Sequence, residues 1–510
     1  MGLGGEKTKP IQSQSPAFGR KSEVRISTTP VLFRMTVARC CPGNPKQIEW
    51  VAKVAGADTI PISTNFKGCD MTFMNKNVAG TMLLVAMFLL ICVFSSSAEG
   101  ALKGGTAKVD ITPPIGAWLS GYGSRNKPSE GILDPLYAKA LVLDDGQEKI
   151  AIVSADLLWV PLGITNEIRQ LAQEKLGIPQ ENVMICGTHT HFAPKIDRIA
   201  KDWPDAAVAE IDESYVQVLK KKIFDSIMLA EKDIKEVKLG VGKGEITEIV
   251  YNRRTRKPDG TVAMTFNLPA ASPDLTFGPV DPELCVLRVD DSDGALVAAV
   301  VNYACHPVSG DPIREKFYYI SADYPGYTAQ VVEQAEGGNC IFLLGTAGNM
   351  NPVRLNRTHP RMQTGKALGG AALRHIQFTQ PCGDVKISAI KQPVSLPIKK
   401  DLPPERKISI GKDAETQNTE IQVLRIGDVY IVGLPGEVLV EIGLEIKAKA
   451  GIENLFVVSL ANDAVGYVCP RAAYKEGGYE PGPGTNLAPG AGEIITERAL
   501  ELIEQITQGT

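Results

Sequence analysis

The sequence lacks the features that mark a nucleic-acid-binding, repetitive or coiled-coil protein. Its 510 residues carry a formal net charge of -4, and the lysines and arginines are scattered instead of forming a basic stripe. There is no internal repeat, no heptad series and no glycine–serine linker. These absences exclude nucleic acid as an expected partner. What remains is a globular chain, 44% hydrophobic and 22% charged, that can bury a large core.

Cysteine is sparse after residue 100. The six cysteines of this part of the chain are Cys186, Cys285, Cys305, Cys340, Cys382 and Cys469. Their spacing matches no zinc-ribbon pattern, and most of them stand inside apolar runs. Buried free thiols are therefore favoured over a disulfide framework.

The first hundred residues differ in composition from the rest. Residues 1–73 mix Ser, Thr, Lys and Pro without a sustained period, and we expect them to be disordered or to precede the true start of the protein. An apolar run at 78–94, preceded by a lysine and followed by small residues up to Ala98, has the layout of a secretory signal. A membrane anchor over the same run is the alternative. We expect 74–100 to direct export, to the periplasm or outside the cell, and 101–510 to form the mature domain.

From Gly104 onward, short β-branched runs alternate with helical patterns, which is typical of an α/β or mixed α+β architecture. Strands are predicted at 150–154, 183–186, 296–305, 341–344, 429–434 and 455–460. A helix is predicted over 165–176, with Thr165 as its cap and Gly177 as its stop, and another over 493–507. The proline-rich stretch 393–404 is predicted to be a surface excursion. The expected fold is one large α/β domain with mixed sheets flanked by helices.

Histidine is rare, and three of the five histidines stand where apolar strands end. His189 and His191 are two residues apart after a predicted strand, so we expect their rings on one face. His306 closes another strand and precedes Pro307, which stops it. Ligands gather at strand ends in open α/β sheets, and neutral imidazole is a common zinc ligand. The pattern predicts a shared polar site, with buried structural histidines as the alternative.

A carboxylate is placed to join these histidines. The strand at 429–434 breaks at Pro435-Gly436, and Glu437 is predicted to begin a helix. A carboxylate would complete a hydrolytic zinc site. An acidic residue in a first helical turn also stabilises that helix without any ligand role. Spacing alone favours neither interpretation.

Short motifs follow one another in order along the chain from Gly105 to Tyr479. They are Asp110-Ile111-Thr112-Pro113, Gly187-Thr188-His189-Thr190-His191, Asn252-Arg253, Asp281-Pro282-Glu283, Cys305-His306-Pro307, Ala347-Gly348-Asn349-Met350-Asn351-Pro352, Pro435-Gly436-Glu437 and Tyr467-Val468. In this order they resemble the catalytic domain of the neutral (alkaline, non-lysosomal) ceramidases. The resemblance implies that family's catalytic-domain fold. Because the sequence ends soon after Tyr479, it also implies that the family's C-terminal β-sandwich domain is lacking.

The resemblance implies roles for particular residues. One zinc ion per chain would be held by His189, His306, Glu437 and Tyr467. His191 would lie beside the metal, and we favour it as the general acid and base. Arg253 matches the family's active-site arginine, and Tyr479 matches a second active-site tyrosine, twelve residues after Tyr467. Without the resemblance, Tyr467 could merely pack, and Arg253 stands in a basic run that is usually a solvated loop.

The resemblance also implies a reaction. Zinc lowers the pKa of bound water to about 7, so metal-activated water would attack a linear amide bond of a ceramide-like or other N-acyl substrate. Donors such as His191, Arg253 or Tyr479 would stabilise the oxyanion. The expected partner is a lipid or small N-acyl amide, and a lipid substrate would require peripheral contact with a membrane.

One residue departs from the family pattern. Asn351 stands where the family carries a serine regarded as catalytic. An amide side chain is no nucleophile, but it can donate a hydrogen bond to a carbonyl oxygen or a bound water. Two alternatives therefore stay open: a degenerate member that binds a lipid or acyl ligand without turnover, and a zinc esterase on the same scaffold.

Overall fold

The computed structural model describes residues 101–509 apart from short gaps, together with three strands nearer the N-terminus. The gaps are 198–209, 269–271, 273, 311–315, 355–358, 384, 404–405, 407–409 and 412–413. The chain divides into two compact units, Met1–Ser97 and Ala98–Thr510.

The first unit contains one antiparallel sheet. Its strands are β1 Arg34–Val37, β2 Glu49–Lys53 and β3 Ile60–Ser63, in the order β1-β2-β3. These strands fall in the segment 1–73, where no secondary structure is predicted. The rest of that segment and the signal or anchor at 74–100 lie outside the described residues, so those predictions stay predictions. Within the described part of the chain, no helix has both the length and the hydrophobicity needed to cross a bilayer.

The second unit is built from many strands and seven α-helices among its described residues. The strands are β4 Lys103–Asp110, β5 Gly131–Ile132, β6 Tyr137–Asp144, β7 Lys149–Ala155, β8 Val183–Gly187, β9 Lys235–Glu245, β10 Val250–Asn252, β11 Arg254–Arg256, β12 Val262–Met264, β13 Glu283–Asp291, β14 Leu296–Tyr303, β15 Tyr319–Ile320, β16 Asn339–Leu344, β17 Met350–Pro352, β18 Gln380–Pro381, β19 Ile387–Pro397, β20 Thr416–Ile426, β21 Val429–Gly433, β22 Glu437–Val438, β23 Asn454–Val458 and β24 Tyr467–Val468. The helices are α1 Leu162–Leu176, α2 Glu213–Lys232, α3 Asp323–Glu336, α4 Pro360–Gln377, α5 Val440–Ala450, α6 Arg471–Glu476 and α7 Ala491–Gln508, with a 3₁₀ turn at Gln180–Asn182.

The largest sheet has nine strands and bends into two halves. One half is β4-β6-β7-β8 and the other is β9-β13-β14-β16, with β18 beside β9. The halves are joined through two residue pairs between β4 and β9. They fold toward each other, because Ser154 Oγ of β7 donates to the Phe342 carbonyl of β16 at 2.6 Å. A smaller sheet, β19-β20-β21-β23, packs beside them.

The core lies between these three sheet sections. On β7, Ile150 and Ile152 pack inward with Ile341 of β16 and Phe456 of the smaller sheet. The alternate residues of β7 pack outward against helices α1 and α2, as a strand with two buried faces requires. Helices α3 and α4 cover the second half of the large sheet, and α5 and α7 cover the smaller sheet. The predicted fold, mixed sheets flanked by helices, is confirmed.

Two short sheets connect loops near the ends of the main strands. In one, β22 pairs in parallel with β24, which sets Glu437 opposite Tyr467. In the other, β10 pairs antiparallel with β17, which sets Tyr251 opposite Asn351. These pairings bring together segments that are far apart in the sequence.

Helix boundaries depart from the sequence prediction in two places. Helix α1 begins at Leu162 and not at Thr165, because Pro161 supplies the extended residue before it and accepts from the Thr165 N–H at 3.0 Å. Gly177 ends the helix in a left-handed conformation, as predicted. Glu437 does not begin a helix: it lies in β22, and α5 starts at Val440.

The prediction of a surface excursion at 393–404 is wrong for its first part. Strand β19 runs to Pro397 and pairs with β20 along its length. Proline is tolerated there because β19 is the edge strand of its sheet, so a missing N–H on the open side costs no ladder hydrogen bond. The C-terminal helix, predicted over 493–507, is confirmed as α7.

Candidate active site

The three sheet sections end near one point, and each supplies a potential metal ligand there. His189 follows β8, His306 follows β14, and Glu437 follows β21 across the turn Pro435-Gly436. His189 adopts a left-handed backbone with φ of 67°, a rare conformation for a side-chain-bearing residue that is found preferentially at functional sites. All three side chains are buried.

The ligand atoms converge. The Nε2 atoms of His189 and His306 lie 2.9 Å apart. The Nε2 atom of His191 lies 3.0 Å from that of His306 and 3.3 Å from that of His189. The Oε2 atom of Glu437 lies 3.1 Å from His189 Nε2. We call these four residues the imidazole cluster. The two rings predicted to face the same way do so, and His306 joins them.

Backbone carbonyls determine which ring nitrogens carry hydrogen. His189 Nδ1 lies 3.0 Å from the Leu158 carbonyl, and His306 Nδ1 lies 3.0 Å from the Ala347 carbonyl. Since a carbonyl only accepts, both Nδ1 atoms must donate, and both Nε2 atoms present lone pairs to each other. Two lone pairs at this distance repel unless a cation lies between them. Metal-ligating histidines are commonly oriented in this way, by a hydrogen bond from the ring nitrogen that does not bind the metal.

Burial favours the neutral form of His191 and His306. The pKa values of His191 and His306 are lowered well below the usual range, chiefly because burial disfavours the charged form, and neighbouring positive charges act in the same direction. A neutral imidazole is the form that binds metal. The three histidines form a group able to hold a metal ion, and imidazole nitrogen with a carboxylate oxygen suits zinc.

A second buried group lies against the imidazole cluster. Arg253 Nε donates to Glu480 Oε1 at 2.8 Å, and Arg254 Nη1 donates to Glu480 Oε2 at 2.8 Å. We call these three residues the arginine–glutamate cluster. Arg253 and Arg254 are each only 3% exposed and Glu480 is fully buried, so this part of the basic run is not a solvated loop. Arg253 Nη2 donates to the Tyr467 hydroxyl at 3.0 Å, which links the two clusters.

The remaining predicted site residues, Asn351 and Tyr479, lie outside the imidazole cluster. Asn351 accepts from Arg253 Nη1 at 3.2 Å and donates to the Phe266 carbonyl at 3.0 Å, so it contacts the arginine and not the imidazole cluster. Tyr479 packs edge-on against Tyr467, with ring centroids 5.6 Å apart, and lines the cleft beside it. Burial raises the pKa of the Tyr479 hydroxyl, which keeps it a neutral donor.

Several site residues were not identified from the sequence. Trp159 stacks near His189 with ring centroids 6.5 Å apart, and its indole N–H donates to Asp197. Tyr122 packs edge-on to His191 at 5.0 Å. Gly121, at φ 93°, lies so close that a Cβ there would come within 2.5 Å of the His191 ring. Two sequence features could have indicated these residues. They are the Gly-Tyr-Gly stretch at 121–123 and the position of Glu480 next to Tyr479.

The fold and the site together define a mixed α/β protein with a candidate metal centre. Residues 103–347 match the family model described as "Neutral/alkaline non-lysosomal ceramidase, N-terminal". Residues 103–347 therefore belong to the N-terminal region of this family.

The chain is also similar to curated neutral ceramidases from several organisms. The neutral ceramidase of Drosophila melanogaster is 23% identical over 266 residues, which cover 51% of this chain and 36% of that protein. The neutral ceramidase of Pseudomonas aeruginosa is 24% identical over 293 residues, covering 55% of this chain and 41% of that protein. The matched segments thus span about a third of the length of the curated relatives.

Solved structures share the fold. The crystal structure of neutral ceramidase from Pseudomonas aeruginosa superposes with a TM-score of 0.64 at 20% identity, covering 80% of this chain and 75% of that one. A structure described as ceramidase complexed with C2 gives a TM-score of 0.64 at 18% identity, covering 80% and 76%. At these identities the likeness establishes the fold alone.

Proposed function

We propose that this protein is an exported zinc-dependent hydrolase that cleaves a linear amide bond in a ceramide-like or other N-acyl substrate. The observation that carries the proposal is the convergence of three buried imidazole nitrogens, 2.9 to 3.3 Å apart, with a carboxylate oxygen of Glu437 that lies 3.1 Å from His189 Nε2. Family membership gives the reaction class, because the relatives are neutral ceramidases. Export rests on the secretory-signal pattern ending at Ala98.

We assign the zinc ligands, one ion per chain, by combining the resemblance with the geometry. The ligands are His189, His306, Glu437 and Tyr467. The carbonyl bonds to Nδ1 of His189 and His306 support the two imidazole assignments, because such bonds orient ligating rings. The pairing of β22 with β24 supports the other two, because it sets the carboxylate and the phenol side by side.

His191 is better suited to proton transfer. Its side chain is 9% exposed, against 1% for His189 and for His306, and its ring lines the cavity beside the cluster. A general acid and base must reach both the substrate and solvent, since it returns its proton after each cycle. His191 would hold a proton on a ring nitrogen and pass it to the amine that leaves.

Zinc, when bound, supplies Lewis acidity and makes water nucleophilic near neutral pH. The protein supplies the donors. Arg253 is held between Glu480 and Tyr467, and Tyr479 projects into the cleft, so both can donate to the oxygen that becomes negative as the amide carbonyl is attacked. Loss of one such donor costs about 3 to 4 kcal/mol in other enzymes. Asn351 would act through Arg253, whose guanidinium it helps to orient.

Two other functions stay under consideration. A zinc esterase would use the same groups, because ester and amide hydrolysis pass through similar oxyanions. A binding protein without turnover is motivated by Asn351, which stands where the family has a serine. The retained ligand set argues against simple binding, because a non-catalytic pocket has no use for neutral, convergent imidazoles.

The decisive experiment is metal analysis combined with a substrate panel. The purified full-length protein should contain one zinc per chain and should hydrolyse at least one N-acyl amide, with the activity lost in chelator and restored by zinc. Hydrolysis of esters but not amides would select the esterase. Zinc without any hydrolysis would select the binding protein, and absence of bound metal at saturating zinc would overturn the metal-centred proposal.

Export needs its own measurement. The exported protein should begin at or near Glu99, which N-terminal sequencing of material from the cell exterior or periplasm would detect. Retention of residues 78–94 in a membrane fraction would favour the anchor.

A further inference from the structure

Two cavities of unequal size open on the imidazole cluster. Both are lined by Glu437, Tyr467, Tyr479 and Trp159, so the reacting bond would lie where they meet. The larger cavity has a volume of about 480 Å³ and the smaller one of about 110 Å³. A substrate that spans both must therefore place a large group on one side of its amide and a small group on the other.

The larger cavity has a polar wall away from the cluster. Its side chains include Arg406, Gln417, Asn418, Asp463 and Asn486. An alkyl chain laid against this wall would cover these groups without offering hydrogen bonds. A group rich in hydroxyls or amides would replace the lost water contacts, so this cavity fits a polar amine better than a long hydrocarbon.

The smaller cavity is short. Its wall away from the imidazole cluster is formed largely by Trp118, Leu119, Tyr122 and Leu158, together with Arg125 and Lys195. A cavity of about 150 Å³ in another protein holds benzene, with six carbons, so a volume of about 110 Å³ holds fewer heavy atoms than that. An acetyl or propionyl group fits within this space, whereas a long fatty acyl chain would extend out of it.

Trp118 forms part of the wall of the smaller cavity. Trp118 and Lys195 also line a separate groove of about 400 Å³, bordered by Pro114, Ile115 and Tyr215. The indole therefore stands between the short cavity and a space that could accept a longer chain. Leu119, next to it, is buried and pairs with Pro194, which holds this wall in place.

We propose that the natural substrate of this site is the amide of a polar, hydrogen-bonding amine with a short acyl group of two to four carbons, and that Trp118 limits the acyl length. This inference rests on the proposed amide hydrolysis. One water is consumed: the C–N bond breaks, a C–O bond forms to give the short carboxylic acid, and the amine nitrogen takes a proton. The acyl group lies in the smaller cavity and the amine in the larger one.

The first test assays the full-length zinc-loaded protein with four amide substrates. In these substrates an acetyl or a palmitoyl group is joined to glucosamine or to sphingosine. We expect kcat/KM for N-acetylglucosamine to exceed that for N-palmitoylsphingosine by at least about 100-fold, the factor that about 3 kcal/mol of lost pairing and fit represents. An equal or higher value for N-palmitoylsphingosine would overturn the inference.

A binding measurement separates this inference from the proposed reaction. Trp118 and Trp159 line the cavities, so ligand binding should quench tryptophan fluorescence in chelator-treated protein that cannot turn over. If no amide is hydrolysed but N-acetylglucosamine still binds more tightly than N-palmitoylsphingosine, the proposed reaction fails and the site preference holds. The reverse order of affinities would reject the preference whether or not hydrolysis occurs.

A variant tests the role of Trp118. In Trp118→Ala the smaller cavity should join the neighbouring groove, so the ratio of octanoyl to acetyl hydrolysis on the same amine should rise at least tenfold. A ratio measured within one variant is insensitive to the fraction that folds. Phe378→Ala, which removes an aromatic ring that is 75% exposed, should leave the ratio unchanged. An unchanged ratio in Trp118→Ala would show that the indole does not set acyl length.

Discussion

Two buried polar clusters meet at the candidate active site, and they differ in what each needs from outside the protein. In the imidazole cluster, ring nitrogens and a carboxylate oxygen face one another. Because Nδ1 of His189 and of His306 donates to a backbone carbonyl, the Nε2 atoms of these two rings carry no hydrogen to donate. In the arginine–glutamate cluster, each carboxylate oxygen of Glu480 receives its own guanidinium N–H. The first cluster therefore has the arrangement of a site that could hold a metal ion, whereas the second pairs its charges within the protein.

The difference teaches how the site is prepared. Buried lone pairs without donors destabilise a fold. The imidazole cluster is therefore tolerated only because other contacts hold its side chains in place. The arginine–glutamate cluster supplies some of those contacts, since Arg253 reaches the Tyr467 hydroxyl beside Glu437. We infer that the charged cluster helps to hold the candidate ligands in position.

The largest expected effect comes from removing a ligand of the imidazole cluster. His189→Ala should abolish metal binding and amide hydrolysis together, because its Nε2 lies closest to the other ligand atoms. Elemental analysis and an activity assay on the same preparation would measure both. His359→Ala removes an exposed histidine away from the site and should change neither. One zinc per chain in His189→Ala would contradict the assignment.

The next effect comes from breaking the arginine–glutamate cluster. Glu480→Gln would leave the buried Arg253 without its carboxylate partner and Arg254 with Glu476 alone, and we expect the free energy of unfolding to fall by about 3 to 5 kcal/mol. Urea denaturation would measure this, and metal content at saturating zinc should persist. The matched control is Glu445→Gln, whose exposed pair with Lys449 contributes about 0.5 kcal/mol or less. If both variants lose equally little, the buried cluster does not support the fold.

Metal removal should sharpen the contrast. A ligand that binds only the folded state adds about 2.7 kcal/mol of stability at 100 times its dissociation constant, so the Tm should rise with zinc concentration and fall in chelator. His189→Ala should show no such dependence, whereas Glu480→Gln should keep it. A wild-type Tm that does not change with zinc concentration would mean that the imidazole cluster does not need a cation.

The smallest effect is expected at Asn351, which contacts Arg253 of the arginine–glutamate cluster. Asn351→Ala removes the acceptor for Arg253 Nη1 and the donor to the Phe266 carbonyl, and it should lower kcat/KM about tenfold, which is about 1.4 kcal/mol. Zinc content should stay at one per chain. Loss of the metal in this variant would show that Asn351 supports the ligands directly and not through Arg253.

Local sequence patterns predicted the parts of the site that depend on strand ends. A buried strand followed by Gly, Cys or Pro predicts where a chain leaves the sheet, so His189 and His306 were identified from such punctuation. Glu437 was expected to begin a helix, because Pro435-Gly436 and the following pattern fit that interpretation. The pairing of β22 with β24 overrides it, and only the tertiary partner could reveal that.

Burial of charge was harder to predict than burial of apolar residues. The run that contains Arg253 and Arg254 has the composition of a solvated loop, and nothing local distinguishes its buried residues from the exposed Arg256. The difference arises from Glu480, which stands more than 200 residues later and pairs with both arginines, and from Glu476, which also pairs with Arg254. A buried charge is tolerated only when such a partner is present.

The sequence by itself determined the alternation of strands and helices, the ends of the strands and the motifs that indicate the family, because these follow from residue-by-residue periodicity and turn chemistry. Only the tertiary structure decided which side chains meet. His189 and Glu437 are 248 residues apart and come within 3.1 Å, because the bent sheet and the smaller sheet pack around one core with their strand ends at the same place. Distances between remote segments depend on that packing, which no local pattern encodes.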